Sequence, residues 1–184
     1  MEPEEILQAA HGPNHFALTW AQAVGRDDAD NVWPHMTRDF RLSRVQDWIL
    51  HNPRVLEHPS AVGWGRDELA HQLVDGRPAD LFPHLARVVL RGMRHSYGDL
   101  DVEKIGLGTR PRPIGPDLEL VRLLYLPDTT LGEDGIHRWM PGTSARNITV
   151  IVDCADGWKV AGISDHIYRP GWPPTAEKVV EPSD

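Results

Sequence analysis

The chain of 184 residues has a single cysteine, Cys154, which excludes an intrachain disulfide framework. Basic residues are also short, with 19 Lys and Arg against 27 Asp and Glu and a formal charge of −8. That balance argues against a nucleic-acid partner, because phosphate binding needs a basic patch that releases counterions. No continuous apolar run approaches the roughly 20 residues of a membrane span, so no membrane partner is expected. The start, Met1-Glu2-Pro3-Glu4-Glu5, is acidic where a secretory signal would be basic and then apolar. These absences point to a reducing, cytoplasmic setting. The sequence has no phosphate-cradling glycine loop, no Gly-x-Ser-x-Gly nucleophile motif, no His-Glu-x-x-His run and no cysteine cluster. His11 and His15 share i, i+4 spacing, but Gly12-Pro13 interrupts any helix that would align them. Neither a metal nor a cofactor is expected.

What is present is ordinary for a globular chain, 40% hydrophobic and 25% charged. This length favours one domain that buries about 70% of its unfolded surface. Sixteen prolines and sixteen glycines imply turn-rich connections, and seven tryptophans imply large contact surfaces. Trp20, Trp48 and Trp158 sit in periodic segments and read as core anchors. Trp64, Trp139 and Trp172 lie among glycines and prolines, where pocket rims or subunit contacts are expected.

The first half reads as helices. Residues 3–11 allow a helical turn, and Asn14 can cap a helix over 15–25. Asp27, Asp28 and Asp30 open a short helix through Met36. Asp39–Leu42 has strand character, and Ser43 can cap a helix carrying Val45, Trp48 and Ile49 that stops at Asn52-Pro53. Helices follow at 66–74 and about 80–95, the second with a stripe of Leu81, Leu85, Val88, Val89 and Met93. Strands are predicted at 101–109, 117–126, 145–154 and 158–165, with 127–143 a lid or an extended hairpin arm. The boundaries expected are an extension at 1–13, one domain at 14–169 and a Pro-rich acidic tail at 170–184. Helices followed by an antiparallel sheet define an α+β fold.

Asn147–Asp165 is the clearest hairpin, turning at Asp156-Gly157. A two-residue loop would pair Ala155 with Trp158. A three-residue loop, with Gly157 left-handed, sets Val152 against Val160 and Asp153 against Lys159, and separates apolar from charged residues better. Its helix-facing side would hold Val150, Val152, Cys154, Trp158 and Val160. Its outer side would hold Ile151, Ala161 and Ile163, an apolar patch that a second subunit would cover, giving a homodimer through Ile151 and Ile163.

The run Trp33-Pro34-His35-Met36-Thr37-Arg38-Asp39-Phe40 and the closing Asp156-Gly157-Trp158-Lys159-Val160 resemble the NTF2-like superfamily, which includes SnoaL-like cyclases and ketosteroid isomerases. The resemblance implies a cone-shaped fold, with N-terminal helices packed on a strongly curved antiparallel sheet around an apolar cavity. It implies no particular reaction, because this fold hosts isomerases, dehydratases, cyclases and noncatalytic binding or assembly domains.

Several residues are candidates for chemistry. Arg122 alternates with Leu118, Leu120, Leu124 and Leu126. A guanidinium on an apolar face needs either a structural ion pair or a ligand carboxylate or enolate. Asp39, near the cavity in the resembled fold, is a candidate general base whose pKa an apolar pocket would raise. His166 beside Asp165 is a second proton-transfer candidate, although adjacent strand residues point to opposite faces. Tyr97 can donate to an oxyanion, as can Tyr125 on the face opposite Arg122. The candidate ligand-binding set is Arg122, Trp48, Tyr97 and Trp139. Two functions remain open: a domain that binds a small apolar molecule or assembles with itself, and a cofactor-independent enzyme acting on a small apolar carbonyl compound.

Overall fold

A computed structural model describes residues 12–98, 101–126, 129–131, 137–139 and 145–179. The turn expected at 3–11, most of the 127–143 connection and the last five residues lie outside these. Among the described residues, five α-helices precede a seven-stranded antiparallel sheet that curls into a half-barrel. None of those helices is long and apolar enough to cross a membrane. The α+β architecture read from the sequence is the one observed.

Helix α1 spans Pro13–Gly25 and buries Ala17, Trp20, Ala21 and Val24. Asn14, expected as its cap, lies instead inside the first turn and makes no cap hydrogen bond. Asp28 caps the four-residue helix α2 (Ala29–Val32), and a 3-10 turn over Trp33–His35 follows. Helix α3 spans Arg38–His51, which corrects two expectations. Asp39–Leu42 is helix rather than strand, because the Thr37 hydroxyl accepts from Phe40 N–H at 3.3 Å and nucleates the helix six residues early. Asp39 in the first turn suits the helix dipole. Ser43, expected as the cap, is buried mid-helix and donates its hydroxyl to the Asp39 carbonyl at 2.8 Å. The helix stops where Asn52-Pro53 demands. Helices α4 (Arg66–Val74) and α5 (Phe82–Tyr97) complete the layer.

The strands are β1 (Ile105–Leu107), β2 (Arg112–Pro113), β3 (Leu118–Tyr125), β4 (Thr129–Leu131), β5 (His137–Trp139), β6 (Arg146–Asp153), β7 (Lys159–Ile163), β8 (His166–Arg169) and β9 (Thr175–Lys178). The main sheet runs β1-β3-β6-β7-β8-β9, with β2 also on β3; β4 and β5 form a separate ribbon. Its four long-range strands therefore neighbour one another in chain order, as expected. Three further strands of this sheet, β2, β8 and β9, were not expected. The segment after Pro170 supplies β9, and Trp172 within it donates its indole N–H to Asp67 of α4 while Arg66 lies 4.7 Å over its ring.

The hairpin register matches the three-residue reading at its turn: Val152 faces Val160, Asp153 faces Lys159, and Gly157 has φ 84°. A β-bulge then intervenes. Ile151 pairs with Gly162, leaving Ala161 as an extra residue, and Val150 pairs with Ile163. The bulge returns Ile163 to the helix-facing side, where it joins the core with Val121, Leu123, Val150 and Val160. Placing Ile163 on the outer face is thus corrected. Trp158 is corrected too: it tilts against Phe16 of α1, but remains 41% exposed. The outer patch of Leu120, Ile151 and Ala161 is real, and the chain covers it with its own Ile114, Leu118, Ile167 and Val179. Ile151 is fully buried there, which removes the reason for a second subunit to cap it.

The β7–β8 turn explains why the sequence reads as one strand through Asp165. Ser164 and Asp165 both adopt left-handed backbone, at φ 53° and 61°, in a two-residue hairpin loop that normally calls for Asn-Gly. Gly162 is required beside it, since a Cβ there would stand 2.0 Å from the His166 carbonyl oxygen. The double substitution Ser164→Asn with Asp165→Gly should therefore stabilise the protein by about 1 kcal/mol in chemical denaturation, by removing left-handed strain. A loss of stability would contradict the turn assignment.

Candidate functional site

Helix α3 carries Phe40, Arg44 and Trp48 at intervals of four, which places them on one face. That face meets the sheet at β8. Tyr168 stacks on Phe40 with ring centroids 5.1 Å apart, and the Arg44 guanidinium lies 4.0 Å from the Tyr168 centroid. Helix α5 lies alongside, contributing Val88, Val89, Gly92 and Met93, and Ile163 of β7 forms the floor. The cleft, open to solvent on one side, measures about 250 Å³, just under the usual range for small-molecule pockets. Val88, which the apolar stripe of α5 predicted to be buried, is 41% exposed because it stands on this cleft.

The cleft pairs an apolar wall of Trp48, Val88, Val89, Met93 and Ile163 with the polar residues Arg44, Asp47, His51, Asn52 and Ser96, and two of these lining residues carry unsatisfied donors. Trp48 is only 6% exposed and packs edge-on to His84, and its Nε1 has no hydrogen-bond partner among the described residues. The other indoles of the helix layer are satisfied: Trp20 donates to the Val32 carbonyl and Trp33 to the Val74 carbonyl. Arg44 Nε is likewise buried without a partner. An unsatisfied buried donor costs roughly 1–3 kcal/mol, and two residues carrying one line this cleft. At the rim, His51 Nδ1 lies 2.8 Å from the Asp47 carbonyl oxygen and 3.5 Å from its carboxylate, with the His51 side chain largely in solvent and Asp47 about half exposed.

A larger cleft of about 460 Å³ opens on the outer side, between the start of α3, the residues before β3 and the strand β8. Its arginines are engaged elsewhere, Arg38 with Asp75 and Arg169 with Glu177, and Asp153 accepts from Ala155 N–H. None of its lining side chains holds a buried polar atom without a partner.

The site residues expected from the sequence are scattered. Trp48 lines the inner cleft. Tyr97, at the end of α5, buries a phenol with no hydrogen-bond partner among the described residues, and burial, reinforced by nearby Tyr168, pushes its pKa well above the ordinary tyrosine value. Arg122 does not face the helices. Val121, Leu123 and Tyr125 take that side of β3, so strand alternation turns Arg122 outward with Leu118 and Leu120. Asp39 is an exposed helix residue on the outer cleft, apart from the inner one. His166 opens β8 beside the tight turn, its Nδ1 2.5 Å from the Ser164 carbonyl, and also lies apart from the inner cleft. Trp139 falls in β5, and its side chain lies outside the described residues. Arg44 was not anticipated. Once α3 begins at Arg38, its spacing from Phe40 and Trp48 shows the same anomaly that drew attention to Arg122, a cation amid apolar neighbours. Among the described residues, no group of His, Cys, Asp and Glu is placed to hold a metal ion.

The Tyr97 phenol carries a pH signature. Its folded pKa is raised, so its contribution is intact below about pH 10 and is lost as pH rises further, where the unfolded chain sheds the proton first. Tyr97→Phe should flatten this alkaline fall in stability and stabilise the protein by about 1 kcal/mol at pH 7, because it deletes an unpaired buried hydroxyl. An unchanged alkaline profile would contradict the burial of Tyr97.

No family model, curated protein or solved structure matches the chain, so the chemistry of the site rests on its own residues.

Proposed function

We propose that the chain is an NTF2-like domain that binds a small, largely apolar molecule in the cleft between α3 and α5. The observation that carries this reading is the pair of buried, unpartnered donors, Trp48 Nε1 and Arg44 Nε, on a cleft walled by Val89, Met93 and Ile163. A ligand acceptor would satisfy a donor while its body covers the apolar wall. The order of helices before a curled antiparallel sheet supports the NTF2-like assignment. A cytoplasmic setting accords with the lone Cys154. Binding is preferred to self-assembly because the outer apolar patch is already covered by its own chain. It is preferred to catalysis because neither Asp39 nor His166 lines this cleft.

Gly92 offers a direct test. It lies on the cleft within α5, and a Cβ added there meets nothing within 4 Å. Gly92→Ala should stabilise the helix by about 1 kcal/mol and leave binding intact. Gly92→Leu should keep the fold, fill the cleft and abolish the rise in melting temperature produced by an apolar carbonyl probe, octan-2-one. Unchanged binding of octan-2-one by a folded Gly92→Leu variant would overturn the reading.

A further inference from the structure

Arg44 is a half-buried cation that has no carboxylate within ion-pair distance and no hydrogen bond among the described residues. Other arginines that reach across the fold do have such partners: Arg26 with Glu103, Arg38 with Asp75, Arg94 with Asp27 and Arg169 with Glu177. The Tyr168 and Phe40 rings take one face of the Arg44 guanidinium, at 4.0 and 5.8 Å. Ring contact offsets part of the cost of partial burial, but supplies no acceptor for the in-plane N–H groups. The one carboxylate lining the cleft, Asp47, lies against His51 and forms no ion pair with Arg44. From α5 the lining is Val88, Val89, Gly92, Met93 and Ser96, and from β7 it is Ile163, so neither element adds a charge.

A cation without an ion-pair partner among the described residues, on a cleft that also presents Trp48, Val89, Met93 and Ile163, favours an anionic head on an apolar body. We infer that the ligand is a small apolar carboxylic acid, its carboxylate held by Arg44 and its chain lying along Trp48, Met93 and Ile163. This rests on the ligand-binding reading above and adds the charge of the ligand. Guanidinium and carboxylate match as planar, two-pronged partners, and a partly dehydrated cleft strengthens the pair. The apolar body gains from burial against the indole and the Met93 side chain.

Calorimetric titration of the full chain with octanoate, octan-1-ol and octylammonium separates charge from apolar fit. Wild-type protein should bind octanoate at least about tenfold more tightly than octan-1-ol, and octylammonium most weakly. Arg44→Met, which keeps the side-chain volume over Tyr168, should weaken octanoate about tenfold or more and leave octan-1-ol within about twofold. Arg44→Lys should recover part of the octanoate affinity. Gly92→Leu should weaken octanoate and octan-1-ol alike. Equal wild-type affinity for octanoate and octan-1-ol, both lost in Gly92→Leu, would overturn the carboxylate assignment and leave the binding reading standing. Failure of every probe to bind wild-type protein would overturn both. If Arg44→Met does not fold, the wild-type ranking of the three head groups and the Arg44→Lys variant still decide the question.

Discussion

One main-chain junction organises the molecule. The Thr37 N–H donates to the Val160 carbonyl at 2.8 Å, and Met36 forms a parallel bridge with the same residue. This contact attaches the start of α3 to β7, one residue before the bulge at Ala161. The Thr37 cap and the sheet hold the first turn of α3 in place. The Phe40–Arg44–Trp48 face of that helix then meets Tyr168 and Ile163. The bulge is the second half of the same device, because it turns Ile163 inward to form the floor of the cleft. Without the extra residue, alternation would carry Ile163 to the outer face and leave a smaller residue, Gly162, in its place.

The two sheet faces are closed by different means. The inner face is buried by helices, with Trp20, Met36, Phe40, Leu69, Leu85 and Met93 among the largest fully buried side chains. The outer face is closed by the returning chain, since Ile114, Leu118, Ile167 and Val179 pack over Leu120, Ile151 and Ala161. The segment after β8 is also tied to the helices. Gly171 N–H donates to Gln46 of α3 at 2.8 Å, beside the Trp172 contact with α4. These ties hold the β8–β9 end against α3, so that Tyr168 stays beneath Arg44. The shape of the cleft therefore depends on contacts from α3, α5, β7 and β8 together.

Much of the fold was legible because periodicity survived in long elements. The helix at 66–74 and the four strands from 105 to 163 follow their apolar patterns, and the Asp153–Lys159 register follows from separating charge from apolar surface. What was missed turns on local exceptions. Thr37 outcompeted Ser43 as a cap, so a helix replaced a strand at Asp39. Ser164-Asp165 took left-handed backbone without the glycine that would have marked a turn. The bulge at Ala161 shifted register by one residue, a change invisible to alternation alone. The site suffered from the same errors. The apolar row that singles out Arg122 faces outward, and the segment holding Asp39 is the first turn of a helix rather than a strand. Arg44 sits in plain view at spacing four between Phe40 and Trp48, but only after the true start of α3 is known.

The central claim is that the α3–α5 cleft is the ligand site of this domain. Amide chemical-shift mapping by NMR during an octanoate titration tests it most directly. The account predicts saturable shifts concentrated on residues 44–52 and 88–96 and on Ile163, with little change elsewhere. Shifts centred instead on Thr37–Asp39, Leu118 and Ile167–Arg169 would assign binding to the outer cleft and contradict it.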